Sequence, residues 1–240
     1  MLASRLESGL VKAGAATIRK ISVHKASQLT AVQRNVRALV TASSIQAVSS
    51  NSSKLPADIK SVLFTADEVR DKVAELGQQI CKDYKGKKLA IIGVLNGAFI
   101  FTADLAREIS KELPDVQVDF LRASSYGTAS ESSGQVAVQT TSDLGRWEEF
   151  HILLVEDIID SGHTLARLGK VLSAAGAQSV KVVALLDKKG RRRVEFFPDY
   201  CGWECPNEFV VGYGLDFDER FRCLPYVAAL KEEAYAGSGH

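Results

Sequence analysis

The chain is short of the features that would commit it to a membrane, a nucleic acid or an oxidising compartment. Its 30 Lys and Arg residues nearly balance 29 Asp and Glu, so a formal net charge of +1 gives no electrostatic reason to expect a nucleic-acid or membrane partner. No apolar run reaches the roughly 20 residues needed to cross a bilayer. Cysteine is sparse. Of the four, Cys201 and Cys205 lie closest, in CGWEC, which is not C-x-x-C and has no His in a zinc-finger pattern beside it. Four reduced thiols are expected, with no disulfide and no zinc. Acids are almost missing from the first 53 residues, where Arg5, Lys12, Arg19, Lys20, Lys25, Arg34 and Arg37 face only Glu7 among Ser, Thr and Ala. That leader lacks the unbroken apolar core of a secretory signal. Its profile is that of a mitochondrial or plastid transit peptide, the alternative being a disordered arm on a cytoplasmic protein.

What is present is globular. A hydrophobic content of 46% and a charged content of 25% are those of a soluble domain. The expected division is an N-terminal extension over 1–53 and one folded domain over 54–240, its ordered part starting near Pro56.

The domain is organised around Ile152 to Leu165, ILLVEDIIDSGHTL. Ile152 to Val155 is a continuous apolar run suited to a strand buried on both faces. Glu156 and Asp157 stand at its end, in an expected acidic turn, and Asp160 follows. Ser161-Gly162-His163-Thr164 then opens a helical pattern through Leu165, Leu168, Val171 and Leu172. Free N–H groups, two hydroxyls and the positive end of a helix dipole make such a loop an anion site sized for phosphate. The upstream carboxylates would repel a phosphate, so ribose hydroxyls, Mg²⁺ or developing positive charge are their suitable partners. Receiver-type and Mg²⁺-phosphatase folds also place acids at a strand end, and a Ser-Gly turn can be a simple cap.

The flanking sequence supplies strands and helices in alternation. Thr65 and Glu68 form a capping-box pair before a helix to about Tyr84 carrying Val69, Val73, Leu76 and Ile80 inward. Leu89–Leu95 reads as a buried strand, and Asn96-Gly97-Ala98 turns it into a helix with Phe99, Phe101, Leu105 and Ile109. Val116–Arg122 reads as a strand, followed by the polar SSYGTASESSG, a lid or disordered loop. Further strands are expected at 136–138, 179–186, 200–204, 209–213 and 226–230, with Trp147 packed beneath the central element and a basic turn at 188–193. This pattern predicts an α/β fold, a mainly parallel central sheet flanked on both sides by helices.

The string VEDIIDSGHTL resembles the phosphoribosyl-pyrophosphate signature of the type I phosphoribosyltransferases, specifically their hypoxanthine-guanine branch. GVLNGAFIFTADL, VDFLRASSYG, LLDKK and FVVGYGLDFDERFRCLPY extend the similarity over about residues 60–231. The resemblance implies that fold with a small hood subdomain and a mobile lid loop, and transfer of the phosphoribosyl group to N9 of hypoxanthine or guanine, giving IMP or GMP. It also implies Mg²⁺ and a homodimer or homotetramer.

By the same resemblance Glu156 and Asp157 hold the ribose hydroxyls, Asp160 contacts purine N7 as general base, and Ser161, Gly162, His163 and Thr164 take the 5′-phosphate. Lys188 reads O6, an ammonium that can only donate and so favours 6-oxo over 6-amino purines; Lys189 beside it is an alternative, and either could be a solvated surface lysine. Phe209 stacks on the base or is simply core, and the Val210 backbone reads the base edge. Asp216 is a Mg²⁺ contact, together with Glu156 and Asp157, or is turn chemistry. Arg222 contacts pyrophosphate. Asn96-Gly97 matches the turn whose strained peptide bond presents an N–H to pyrophosphate, although many relatives carry Lys where Asn96 stands and Lys or Asn where His163 stands. Ser125 and Tyr126 begin the lid. The alternatives are a xanthine-preferring relative, a non-catalytic regulator binding phosphoribosyl pyrophosphate, nucleotide or RNA, and an inactive organellar paralogue.

Overall fold

The computed structural model describes residues 55–125, 136–140 and 143–236, with only the backbone described at 124, 125 and 136–140. The basic leader, its boundary at 53/54 and Tyr126 of the expected lid lie outside these residues. Ser125 closes a strand there.

Nine strands and four helices follow in order. Strand β1 (Ile59–Phe64) leads into helix α1 (Ala66–Tyr84), strand β2 (Leu89–Leu95) into helix α2 (Phe99–Ile109), and strands β3 (Gln117–Ser125) and β4 (Val136–Thr140) come next. A 3-10 turn at Leu144–Trp147 precedes strand β5 (His151–Ile159), helix α3 (His163–Ala174), strand β6 (Ser179–Asp187) and strand β7 (Tyr200–Glu204). Short strands β8 (Val210–Val211) and β9 (Val227–Leu230) and the one-turn helix α4 (Glu232–Tyr235) finish the described chain. Helix α1 starts where its cap sequence puts it. The Glu68 N–H donates to Thr65 Oγ1 at 3.3 Å and the Thr65 N–H donates to Glu68 Oε2 at 2.8 Å, so two otherwise orphaned donors are satisfied.

The six-stranded sheet has the order β4-β3-β2-β5-β6-β7, parallel throughout except for β4, which runs antiparallel to β3. Period-2 alternation explains how β5 serves both faces at its centre. Leu153 and Val155 point into a cluster with Val73 and Ile80 of α1 and Phe101 and Leu105 of α2. Ile152 and Leu154 point the other way, against Leu165, Leu168 and Leu172 of α3 and the buried Trp147. Strands β2 and β6 divide their side chains in the same manner. Val171 of the predicted stripe is only half-buried, and Phe99, at the first turn of α2, is exposed.

Two features depart from the sequence expectation. The acidic turn is not a turn: β5 continues through Glu156 and Asp157 to Ile159, because β6 is equally long and pairs with it as far as Ile159↔Asp187. Strand β1 was not expected at all. It pairs antiparallel with β9, Ile59 opposite Leu230, and with β8 forms a second sheet of order β1-β9-β8. Ile59, Val211, Phe217, Ala228 and Leu230 make its small core, the hood subdomain.

Leu153 is fully buried. Leu153→Ala is expected to cost about 2–5 kcal/mol of unfolding free energy, the range for truncating a packed core leucine. Urea denaturation measures it, and an unchanged midpoint would mean that β5 is not sandwiched as described.

Candidate active site

The carboxyl ends of parallel strands face a row of loops, which is where open α/β sheets bind ligands. Two adjoining cavities open there. The larger, about 610 Å³, is walled by the turn after β2 (Asn96, Gly97), by Asp157, Ile158 and Asp160 of β5 and its following loop, and by Lys188 and Arg191 after β6. The chain from Asn207 to Val210 and the turn carrying Asp216 and Arg222 complete it. The smaller, about 240 Å³, is lined by Glu156, Ile158, Asp160, Ser161, Gly162 and Thr164. Ile158 and Asp160 border both.

Strand alternation sends the paired acids to opposite faces. Asp157 goes to the larger cavity and Glu156 to the smaller. Burial pushes both carboxyls up, and Glu156, which also has the Asp157 charge beside it, stays well above the usual carboxylate range. Hydrogen bonding with the Glu156 side chain, then the Ile158 N–H at 2.8 Å and, more weakly, the charge of Arg222 pull Asp157 back part of the way. Glycine at 97 is a requirement of this packing, since a Cβ there would fall 1.7 Å from Asp157 Oδ2. The Leu95–Asn96 peptide bond is cis. Asn96 Oδ1 accepts from Arg122 Nη2 at 2.9 Å, which brings a guanidinium to the turn at which the side chain itself is neutral.

Lys188 follows the last residue of β6, with its N–H donating to Ile159 O at 2.9 Å. Its ammonium donates to Glu208 O at 2.8 Å, and desolvation lowers its proton affinity. Phe209 meets Phe217 edge-on and Tyr235 at a 30° tilt, each with ring centroids 5.3 Å apart, so the α4 helix contributes an aromatic to this wall. Asp160 is held by Arg191 Nε at 2.9 Å. Arg222 reaches Asp216 at 2.9 Å and Glu219 at 3.1 Å, and donates to Gly214 O at 3.0 Å.

Thus the structure gathers Asn96, Gly97, Asp157, Asp160, Lys188, Phe209, Val210, Asp216 and Arg222 around one space, and Glu156, Ser161, Gly162 and Thr164 around its neighbour. His163 is exposed and lines neither, so its side chain takes no part in the loop's inner surface. Lys189 pairs with Glu204 at 2.8 Å, outside both cavities. Sequence reasoning missed Arg191 and Tyr235. The first was visible only as part of a basic turn; the second sits in a tail with no motif to mark it.

Among the described residues no group of three His, Cys, Asp or Glu side chains could hold a metal ion. Glu156 is set apart from Asp157 and Asp216 by its cavity; the two aspartates that share the larger one suit a cation that takes most of its ligands from phosphate and water, the habit of Mg²⁺.

Residues 63–218 match the model of the phosphoribosyl transferase domain family. The chain is 43% identical over 181 residues to the hypoxanthine-guanine phosphoribosyltransferase of Streptococcus thermophilus, covering 75% of this chain and 98% of that one. It is 45% identical over 180 residues to the bifunctional protein TilS/HprT of Listeria monocytogenes, covering 75% of this chain but only 27% of that longer protein. The crystal structure of a hypoxanthine phosphoribosyltransferase from Staphylococcus aureus superposes with a TM-score of 0.70 at 38% identity, over 78% of this chain and 99% of that one.

The raised Glu156 carboxyl has a consequence for the metal-free protein. Folded chains keep a proton that unfolded chains release above about pH 4.5. Stability therefore declines as pH rises above that value and levels off only beyond the folded-state value. Glu156→Gln, neutral at every pH, is expected to melt higher than the parent at pH 8, with the two converging towards pH 4.5. Melting curves between those limits decide it; parallel profiles would contradict the raised carboxyl.

Proposed function

This chain belongs to the phosphoribosyl transferase family, in its hypoxanthine-guanine branch, and we propose that it is a purine-salvage enzyme. It transfers the 5-phosphoribosyl group from phosphoribosyl pyrophosphate to N9 of hypoxanthine or guanine. The C1–oxygen bond to pyrophosphate breaks, the N9–C1 bond forms, and the purine gives up a proton. IMP or GMP and pyrophosphate leave. The observation that carries this is the single carboxyl edge at which Lys188, Phe209 and Val210, the carboxylate of Asp160, and the loop residues Ser161, Gly162 and Thr164 adjoin.

The roles follow from the chemistry of each group. A ribose with oxocarbenium character is stabilised by nearby negative charge, and Asp157 and Glu156 reach it from either side through its 2′ and 3′ hydroxyls. The backbone N–H groups at the start of α3, with Ser161 and Thr164, hold the 5′-phosphate. The Asn96-Gly97 turn and Arg222 bind pyrophosphate. Lys188 donates to O6, Phe209 stacks on the ring, and the Val210 backbone addresses its edge. Asp160 accepts the proton at N7. In the free protein it is held by Arg191 in a half-exposed ion pair, 55% and 47% accessible, and exposed pairs of this kind are worth only about 0–1 kcal/mol, so an entering base displaces it at little cost. Asp157 and Asp216 in the larger cavity would hold Mg²⁺, which when bound neutralises charge on the pyrophosphate leaving group; Glu156, the third ligand that the resemblance implies, lines the other cavity.

The resemblance also supports a homodimer or homotetramer. The composition of residues 1–53 supports a mitochondrial or plastid address, and a cytoplasmic location follows if that leader is only an arm. Among the described residues no helix is long and apolar enough to cross a membrane.

A spectrophotometric assay of the full chain with phosphoribosyl pyrophosphate and Mg²⁺ tests the reaction on guanine, hypoxanthine, xanthine and adenine. Guanine and hypoxanthine should turn over and adenine should not. Asp160→Asn should lower kcat by about 10²- to 10⁴-fold, the usual contribution of a positioned acid–base group, while Lys188→Ala should narrow the gap between 6-oxo and 6-amino purines. Binding of phosphoribosyl pyrophosphate without turnover of any base would replace the enzyme by a sensor of that metabolite.

A further inference from the structure

Asp187, at the carboxyl end of β6, is 2% exposed, the deepest charged side chain among the described residues. Its carboxylate accepts from Arg192 Nη2. The Arg192 side chain is itself only 11% exposed, and its Nε and Nη1 are buried with no acceptor among the described residues. A guanidinium stays charged at any relevant pH. Burying one with donors unsatisfied is costly, and so calls for a reason beyond stability.

The surroundings of Arg192 supply one. The guanidinium lies against Gly162, the residue preceding α3, whose φ is +85°; a Cβ at 162 would stand 3.1 Å from Arg192 Cδ and 3.2 Å from Nη1. The backbone of the same segment is tied to the same loop, with the Arg193 N–H donating to Ser161 O at 3.0 Å and the Lys188 N–H to Ile159 O at 2.9 Å. Salt-bridged on one edge only, the guanidinium keeps part of its positive potential for the anion loop it touches. In a site this poorly hydrated that potential is felt strongly.

We infer that Arg192 is a positioning residue for the 5′-phosphate: it packs the Ser161-Gly162 backbone into place and adds positive potential behind it, with Asp187 setting how much. The inference rests on Ser161–Thr164 being the phosphate loop. It also means that the segment which reads the base at Lys188 is the one that braces the phosphate.

Calorimetric binding of ribose 5-phosphate to the full chain tests this without any turnover. Arg192→Met should weaken that ligand about tenfold, the scale of one lost charge-assisted contact, and raise the KM for phosphoribosyl pyrophosphate in step, with a much smaller change in the KM for guanine. Arg192→Lys should recover part of the loss. Asp187→Asn, which leaves the guanidinium unopposed, should hold or tighten ribose 5-phosphate. Equal losses for every ligand in both Arg192→Met and Asp187→Asn, without rescue by lysine, would reduce the pair to a structural tie and overturn the inference, as would unchanged binding in Arg192→Met. If the parent binds no ribose 5-phosphate, the phosphate-loop assignment fails and the inference with it. If binding changes as expected but no purine turns over, the inference stands and the proposed reaction falls.

Discussion

A strand buried on both faces can carry charge only where its cover stops, and that constraint shapes everything at this site. Strand β5 is sealed by α1 and α2 on one side and by α3 and Trp147 on the other as far as Val155. Beyond it the ladder to β6 continues while the helices give way to cavity. Glu156 and Asp157 therefore keep strand geometry but lose apolar cover, and alternation commits one to each face. A turn would have let both carboxylates rotate into solvent. The strand holds them apart and out of bulk water, and that burial is what raises both carboxyls above their usual range.

The remaining charges are kept in order by exchangeable partners. Asp160 leans on Arg191, Asp216 on Arg222, and the Lys188 ammonium on a backbone carbonyl. None of these contacts is a deeply buried pair that would resist rearrangement. The pair Asp187–Arg192 is different in kind. It is buried and touches the loop from behind, so it is suited to hold shape and not to be exchanged.

Much of this was legible in the residues. Thr65 and Glu68 fixed the start of α1, LAIIGVL and SVKVVALL declared their strands, and VEDIIDSGHTL located the carboxyl edge. Local chemistry writes such signals within a few residues. Strand β1 was not legible, because IKSVLF alternates poorly and earns its conformation from a partner some 170 positions later, Leu230 opposite Ile59. The length of β5 was misjudged for a related reason: two acids read as a stop, whereas the ladder to β6 decides. His163 lay inside a motif whose neighbours all face the cavity, but the helix begins at that residue and turns its side chain outward. Arg192 was one of three arginines in a row, and only the fold distinguishes the buried one.

The pairing of β1 with β9 sets an order of events during synthesis. All six strands of the large sheet have been made by the time Glu204 has been added, so the nascent chain can close that layer while its carboxyl-terminal part is still absent. The first strand of the domain must wait for almost the last, and loop closure over such a separation is slow. Phe209, Asp216 and Arg222 belong to the late segment. A chain elongated only as far as Glu204 would thus hold Lys188 and the acids at the end of β5 but lack the side of the larger cavity that Phe209, Asp216 and Arg222 supply.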